Sequence, residues 1–167
     1  STLLSHISQP FVSMHPDTAT NTGLIDGDLV QVFTQRGSIT VVAAVDTGMG
    51  EDQIFVPIHW NDQYASNARV DSLVAPITDE ISGQPEFKYS RAAMVKVDTP
   101  VWATLVSHNK LDCTKFIHWS AAPLDQGRGF IYHISIKSNF NWPDFITAKR
   151  ITEQGPAQAY EQFFDRQ

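Results

Sequence analysis

The stretch Leu24-Ile25-Asp26-Gly27-Asp28-Leu29-Val30-Gln31-Val32-Phe33-Thr34-Gln35-Arg36-Gly37-Ser38-Ile39-Thr40-Val41-Val42-Ala43-Ala44-Val45 decides the fold. Two β-branched runs, Leu29–Thr34 and Ile39–Val45, flank Gln35-Arg36-Gly37-Ser38. This pattern predicts a hairpin whose turn places Gly37 at a positive φ, which costs little without a Cβ. Val30, Val32 and Thr34 fall on one face of the first strand; Leu29, Gln31 and Phe33 fall on the other. Neither face is cleanly polar, so the strand is expected to be covered on both sides, as in a small closed barrel. A third apolar run, Ile54-Phe55-Val56-Pro57-Ile58, ends in His59 and Trp60. No strand or helix period persists from Asn61 to Tyr89, and Pro76, Gly83 and Pro85 break the pattern further. A loop of that length in a compact domain is functional or disordered. The loop His59–Lys88 is therefore what the hairpin scaffold is expected to carry.

Upstream of the hairpin, Ser1–Val12 reads as an extended lead-in reaching Pro10. A short helix is predicted next, with Pro16 in its first position, Asp17 complementing its positive end and Gly23 closing it with a left-handed cap. Downstream, Ala92–Val97 reads as a strand and Thr99-Pro100 as a boundary. Val101–Ser107 and Phe130–Lys137 read as two further strands, the second entered through Gly127-Arg128-Gly129. Gly155-Pro156 is expected to start a helix with Ala157, Tyr160, Phe163 and Phe164 near one face.

With 167 residues, the chain can hold one domain with a real core plus an extension. Its net charge of −6 argues against non-specific binding to nucleic acid or to an acidic membrane surface. No stretch approaches the length of apolar sequence that a spanning helix requires, so no membrane association is expected. Cys113 is the only cysteine, which excludes an intrachain disulfide and a thiolate metal cage built from this chain alone. It also suits a reducing compartment.

Two features point to ligand chemistry, and each has a plain structural reading beside it. His59 can donate to a phosphate or a polar heterocycle, and Trp60 offers a flat face and one N–H donor. Equally, Trp60 can cap the barrel core and His59 can sit solvated on the surface. Lys88, Arg91 and Lys96 make Phe87–Lys96 positive with no acid inside it, which suits an anionic ligand such as a pyrophosphate. Charged strand ends are otherwise solvated. The remaining histidines, His6, His15, His108, His118 and His133, show no metal-ligand spacing, and no Gly-x-Ser-x-Gly elbow frames a nucleophile. Gly127-Arg128-Gly129 lacks the rest of a dinucleotide fingerprint. No catalytic residue and no metal ligand is assigned.

An ordered series of short motifs adds a resemblance. It comprises His15-Pro16-Asp17 with Ala19, Gly23-Leu24, Asp26-Gly27-Asp28-Leu29-Val30, Arg36-Gly37, Phe55-Val56-Pro57-Ile58-His59-Trp60 and Ser82-Gly83-Gln84-Pro85-Glu86-Phe87-Lys88. From about Pro10 to Val97 the chain resembles the C-terminal molybdopterin-dinucleotide-binding domain of the dimethyl sulfoxide reductase family of molybdenum oxidoreductases. The His-Trp and Ser-Gly-Gln-Pro motifs look most like those of assimilatory nitrate reductases. Residues from Trp102 to about Ile136 look like the extension such enzymes carry.

The resemblance implies a mainly β fold, a double-psi β-barrel with short helices over residues 1–98 and a C-terminal extension over residues 99–167, packed on or beside the barrel. It implies a bis-molybdopterin guanine dinucleotide cofactor approached by the loop His59–Lys88. Lys88 matches a lysine that contacts the cofactor, Trp60 lies near an aromatic that lines the site, and His59 and Gln84 belong to the same loop. Asp71 stands where the family commonly has an asparagine; either Asp71 makes a different contact or Asn67 substitutes. The molybdenum ligand and an iron–sulfur cluster would lie in other domains of a catalytic subunit, together with access to an electron-donor protein or domain. This piece is then expected to be inactive alone, to position and shield the cofactor in a cytoplasmic reductase of nitrate to nitrite, and to need the remaining domains as partners. Two alternatives stay open: a part of another molybdopterin oxidoreductase such as a formate dehydrogenase, and a stand-alone double-psi barrel used as a binding or docking module.

Overall fold

The computed structural model describes residues 9–75, 77–83, 90–98, 101–124, 129–136 and 162–164. The chain divides into two compact units, Ser1–Asp98 and Thr99–Gln167. Both are built on sheets, so the protein is mainly β.

In the first unit, β1 (Phe11–Met14) leads into α1 (Pro16–Thr22), which is followed by β2 (Leu29–Phe33), β3 (Ser38–Val45), β4 (Ile54–Phe55), a 3-10 turn over Val70–Ser72 and β5 (Ala93–Lys96). The sheet has five strands in the order β4-β1-β3-β2-β5. β2 and β3 form the expected antiparallel hairpin, from Leu29 opposite Val42 to Phe33 opposite Ser38. β1 lies parallel to β3 on its other side, but only along Val42–Val45. That leaves the first half of β3 without a strand on that edge, and the site is built there. The barrel-type fold implied by the resemblance is met by this mixed, interleaved sheet.

Helix α1 forms for the reasons read in the sequence. Pro16 opens it, His15 Nδ1 accepts from the Asp17 amide at 3.2 Å, and Gly23 closes it at φ 69°. The cap turns Leu24 back into the core, with its amide on the Ala19 carbonyl at 2.8 Å. Asp26-Gly27-Asp28 then stitches three strands together. Asp26 Oδ1 accepts from the Val45 amide at 2.9 Å, and Asp28 Oδ2 meets Lys96 Nζ of β5 at 2.9 Å. The core of this unit is Val12, Met14, Val30, Val32, Ile39, Val41 and Ala43, joined by Val70 and Leu73 from the long loop.

Several expectations change. β1 is a buried central strand rather than a lead-in, because its backbone pairs with β3 on one side and β4 on the other. The two faces of β2 are not equally covered: Leu29 is buried, but Phe33 at the other end of that face is 40% exposed. Gly37 does not take a positive φ. Its role is close approach, since a Cβ there would lie 2.7 Å from the Ser72 carbonyl oxygen.

The second unit is an antiparallel sheet of β6 (Val101–Ser107), β7 (His118–Pro123), β8 (Phe130–Ile136) and β9 (Gln162–Phe164), in the order β7-β8-β6-β9. Ala103, Leu105, Phe116, Ala121, Tyr132, Ile134 and Ile136 form its core, with Cys113 among them. Phe163 and Phe164 belong to β9, paired with Ala103 and Trp102, and not to a helix. Adjacent aromatic residues suit a pleated edge, and β6 supplies the open ladder that pairing needs. The rest of the expected helix lies outside the described residues, as does Lys137, placed at the end of the β8 reading.

Candidate functional site

The loop that follows β4 is not uniform. Its middle section is clamped to the open half-edge of β3. The Thr40 amide donates to the Asn67 carbonyl at 2.8 Å, and Thr34 Oγ1 at the hairpin tip donates to the Leu73 carbonyl at 2.9 Å. Between these points the Ser72 carbonyl packs against Gly37, where any side chain would collide. Ala65, Ala68, Val70 and Leu73 are buried beneath the segment. Asn67 takes φ 46°, a left-handed conformation that asparagine tolerates better than most residues.

With its apolar residues turned inward, this segment turns Arg69 and Asp71 outward. Their side chains are 58% and 57% exposed, and Arg69 Nη2 meets Asp71 Oδ2 at 3.3 Å. Arg69 Nη1 lies 3.6 Å from Asp62 Oδ2. The 3-10 turn fixes Asp71: the Ser72 amide and Oγ both donate to the Arg69 carbonyl, at 3.1 and 2.7 Å, and the Leu73 amide donates to the Val70 carbonyl.

At the start of the loop, His59 is exposed and its ring lies 5.5 Å from that of Trp60, tilted by 33°. The Trp60 indole Nε1 is buried without a hydrogen-bond partner among the described residues. A buried N–H left unpaired costs about 1–3 kcal/mol. Further along, Asp79 Oδ1 accepts from the Ile81 amide, the Ser82 amide and Ser82 Oγ, and those bonds hold its carboxyl below the usual carboxylate range. This turn exposes Ile81 almost completely, at 98%, and leads through Gly83 at φ 66° toward the rest of the Ser-Gly-Gln-Pro motif.

The structure thus places Asn67 and Asp71 on one clamped segment, with His59 and Trp60 on the entry to it. Gln84 and Lys88 lie outside the described residues. Lys96, counted with the positive segment, is committed to Asp28 in the sheet rather than offered to a ligand. Arg69 is the residue that the sequence reading missed. Its signal was present in the pairing of a cation with an acid two positions on, flanked by apolar Ala68, Val70 and Leu73, but no helix or strand period marks such a turn.

The chain matches the family described as "Molydopterin dinucleotide binding domain" over residues 2–91, and it belongs to that family. Among similar proteins, a nitrate reductase of Klebsiella oxytoca is 32% identical over 145 residues, 86% of this chain and 16% of that protein. An assimilatory nitrate reductase catalytic subunit of Bacillus subtilis (strain 168) is 34% identical over 89 residues, 53% of this chain and 12% of that protein. An F420-dependent formate dehydrogenase subunit alpha of Methanocaldococcus jannaschii is 31% identical over 86 residues, 52% of this chain and 12% of that protein. The chain therefore spans less than a fifth of the length of these relatives. By name, these relatives are two nitrate reductases and a formate dehydrogenase.

The residues present fit a molybdopterin dinucleotide. That group combines polar heterocycles with phosphates, and the site offers a guanidinium, a carboxylate, an imidazole and an orphaned indole N–H on or beside one clamped segment.

Proposed function

We propose that this chain is the cofactor-covering part of a molybdenum-dependent nitrate reductase, binding and shielding a bis-molybdopterin guanine dinucleotide. The observation that carries the nitrate reading is the reach of the similarity. The match to the Klebsiella oxytoca nitrate reductase runs over 145 residues, more than the 98 of the first unit, so it extends into the second. The match to the Methanocaldococcus jannaschii formate dehydrogenase covers 52% of the chain. That second match supports the rival reading, an oxidoreductase of the same cofactor acting on formate.

When bound, the cofactor supplies the two-electron reduction of nitrate to nitrite at its metal. The chain's own residues bind and orient it. In this reading Arg69 supplies positive charge for its phosphates, Trp60 and His59 meet its heterocyclic part, Asp71 and Asn67 supply an acceptor and an amide, and Lys88 and Gln84 keep the cofactor contacts that the resemblance implies. Buried Val70 and Leu73 hold that surface rigid, and a rigid surface excludes water better than a mobile one. The remaining domains of the catalytic subunit, an iron–sulfur cluster within them and an electron-donor protein or domain complete the proposal. Among the described residues no helix is long and apolar enough to cross a membrane. A cytoplasmic location is part of the proposal.

The test is to express the whole reading frame and to measure molybdenum, releasable guanine nucleotide and nitrite formed with a reduced viologen, then to repeat with Lys88→Ala. Loss of one charged phosphate contact, about 1–3 kcal/mol, should reduce cofactor occupancy several-fold. Occupancy unchanged by Lys88→Ala overturns that contact. Oxidation of formate in place of nitrate reduction selects the rival.

A further inference from the structure

We propose that the second unit holds ordered water inside its fold, bound between Ser120 of β7 and Ser135 of β8. The site is independent of the cofactor-covering reading and would stand if that reading fell.

Strand register fixes which side chains share a face. His118 lies opposite Ser135, and Ser120 lies opposite His133; on the next strand Trp102 lies opposite Ser135 and Thr104 opposite His133. Because side chains alternate along a strand, Ala103, Leu105, Ala121, Tyr132, Ile134 and Ile136 point to the other face, where they form the apolar core. One side of the sheet is therefore apolar and the other polar. Yet the polar side is not solvated, since His118, Ser120 and Ser135 are each 0% exposed. Thr104 Oγ1 and His133 Nδ1 meet at 3.3 Å. The Ser120 and Ser135 hydroxyls have no hydrogen-bond partner among the described residues.

Two buried hydroxyls without partners, close together on one face, call for a ligand that both donates and accepts hydrogen bonds. The surroundings select its class. No described strand position on this face carries an acid, a lysine or an arginine, so an ion would lose its hydration without a counter-charge. An apolar ligand would leave both hydroxyls unpaired. Water meets both conditions, and a buried water takes about 2–4 polar partners, which the hydroxyls and imidazoles of this block supply. The spacing also fits. Ser120 and Ser135 are diagonal neighbours on adjacent strands, with Cβ atoms somewhat under about 7–8 Å apart, a gap that about one or two water molecules span at roughly 2.8 Å per bond.

Oxygen-17 relaxation dispersion of the 167-residue protein detects long-lived water directly. The wild type should show it, and the combined Ser120→Ala and Ser135→Ala variant should lose amplitude equal to about one or two molecules. Native-state exchange at the amide of Ile134, on the central strand β8, gives a second reading in which the sign decides. If water bridges the hydroxyls, removing either one strips the water of a partner, and exchange should quicken by about three- to tenfold in each single variant. The double variant should quicken by less than the product of the two, because one bridge is lost only once. If the hydroxyls are orphaned in fact, alanine removes a buried unpaired group, and exchange slows or stays the same. Absence of long-lived water in the wild type, unchanged amplitude in the double variant, or exchange that is slower or unchanged in both single variants overturns the proposal.

Discussion

At the scale of single residues, the second unit carries a buried histidine whose chemistry predicts how it responds to acid. His118 is fully buried on β7, and burial pushes its imidazole down to about 4. His133 on β8 is pushed in the same direction by burial. In the unfolded chain a histidine titrates near 6.5, so between these values the unfolded state binds more protons than the folded one. The stability tied to neutral His118 is therefore complete above about pH 6.5 and is lost as pH falls toward 4, by about 3 kcal/mol in all. Trp102 lies edge-on to His118 at 6.2 Å, so its fluorescence should follow the transition. His118→Asn should flatten the slope in that window, and an unaltered slope would show that the histidine is protonated in place. Gly37 makes a second prediction. Because its φ is ordinary, Gly37→Ala suffers only the collision with the Ser72 carbonyl, about 1–3 kcal/mol of overpacking. Thermal unfolding should show that loss together with faster exchange at Leu73; a neutral substitution would mean that the segment yields freely.

Among the elements, the long loop divides into parts with different stabilities. Asn67–Leu73 is bonded to the hairpin and contributes Val70 and Leu73 to the core, whereas Ile77–Gly83 is exposed, with Thr78 in a bridge and the Asp79–Gly83 turn bonded within itself. Local opening follows burial and hydrogen bonding, so the amides of Thr40 and Leu73 should exchange orders of magnitude more slowly than those of Ile77 and Glu80. Uniformly fast exchange would contradict the clamp and restore the picture of one mobile loop. The same division explains what was legible in the sequence. β2, β3 and β6 were readable because runs such as Leu29–Thr34 and Val101–Ser107 are β-branched and end at turn residues. β1 was not, since Phe11-Val12-Ser13-Met14 is short and becomes a strand only through pairing with distant Val42–Val45. β7 escaped because His118, Ser120 and Pro123 do not look like a strand, and only its register with β8 makes it one. The paired phenylalanines of β9 fit a helical face as well as a pleat until β6 offers an edge. The candidate site followed the same rule: Asp71 and Asn67 could be named from motif position, whereas Arg69 needed the turn that joins it to Asp71.

For the whole molecule, the decisive question is what this length of chain can do unaided. An iron–sulfur cluster takes four cysteine thiolates, and this sequence has one cysteine, Cys113, buried in the second unit. No cluster of potential metal ligands occurs among the described residues. The net charge of −6 gives an anion such as nitrate no long-range attraction toward the protein as a whole. The proposed role is that of a part that covers and orients a cofactor while electrons and substrate arrive through other domains. The chain spans 16% of the Klebsiella oxytoca relative and 12% of the Bacillus subtilis one, which leaves ample protein in such enzymes to supply both routes. The purified 167-residue chain, given a reduced viologen and nitrate, should form no nitrite above a protein-free blank. Nitrite formation by the chain alone would place substrate access and electron entry within these two units, and the covering role would have to be abandoned. Silence in this assay, set beside nitrite formation by the whole-frame enzyme, is the pattern that separates a cofactor cover from an enzyme complete in itself.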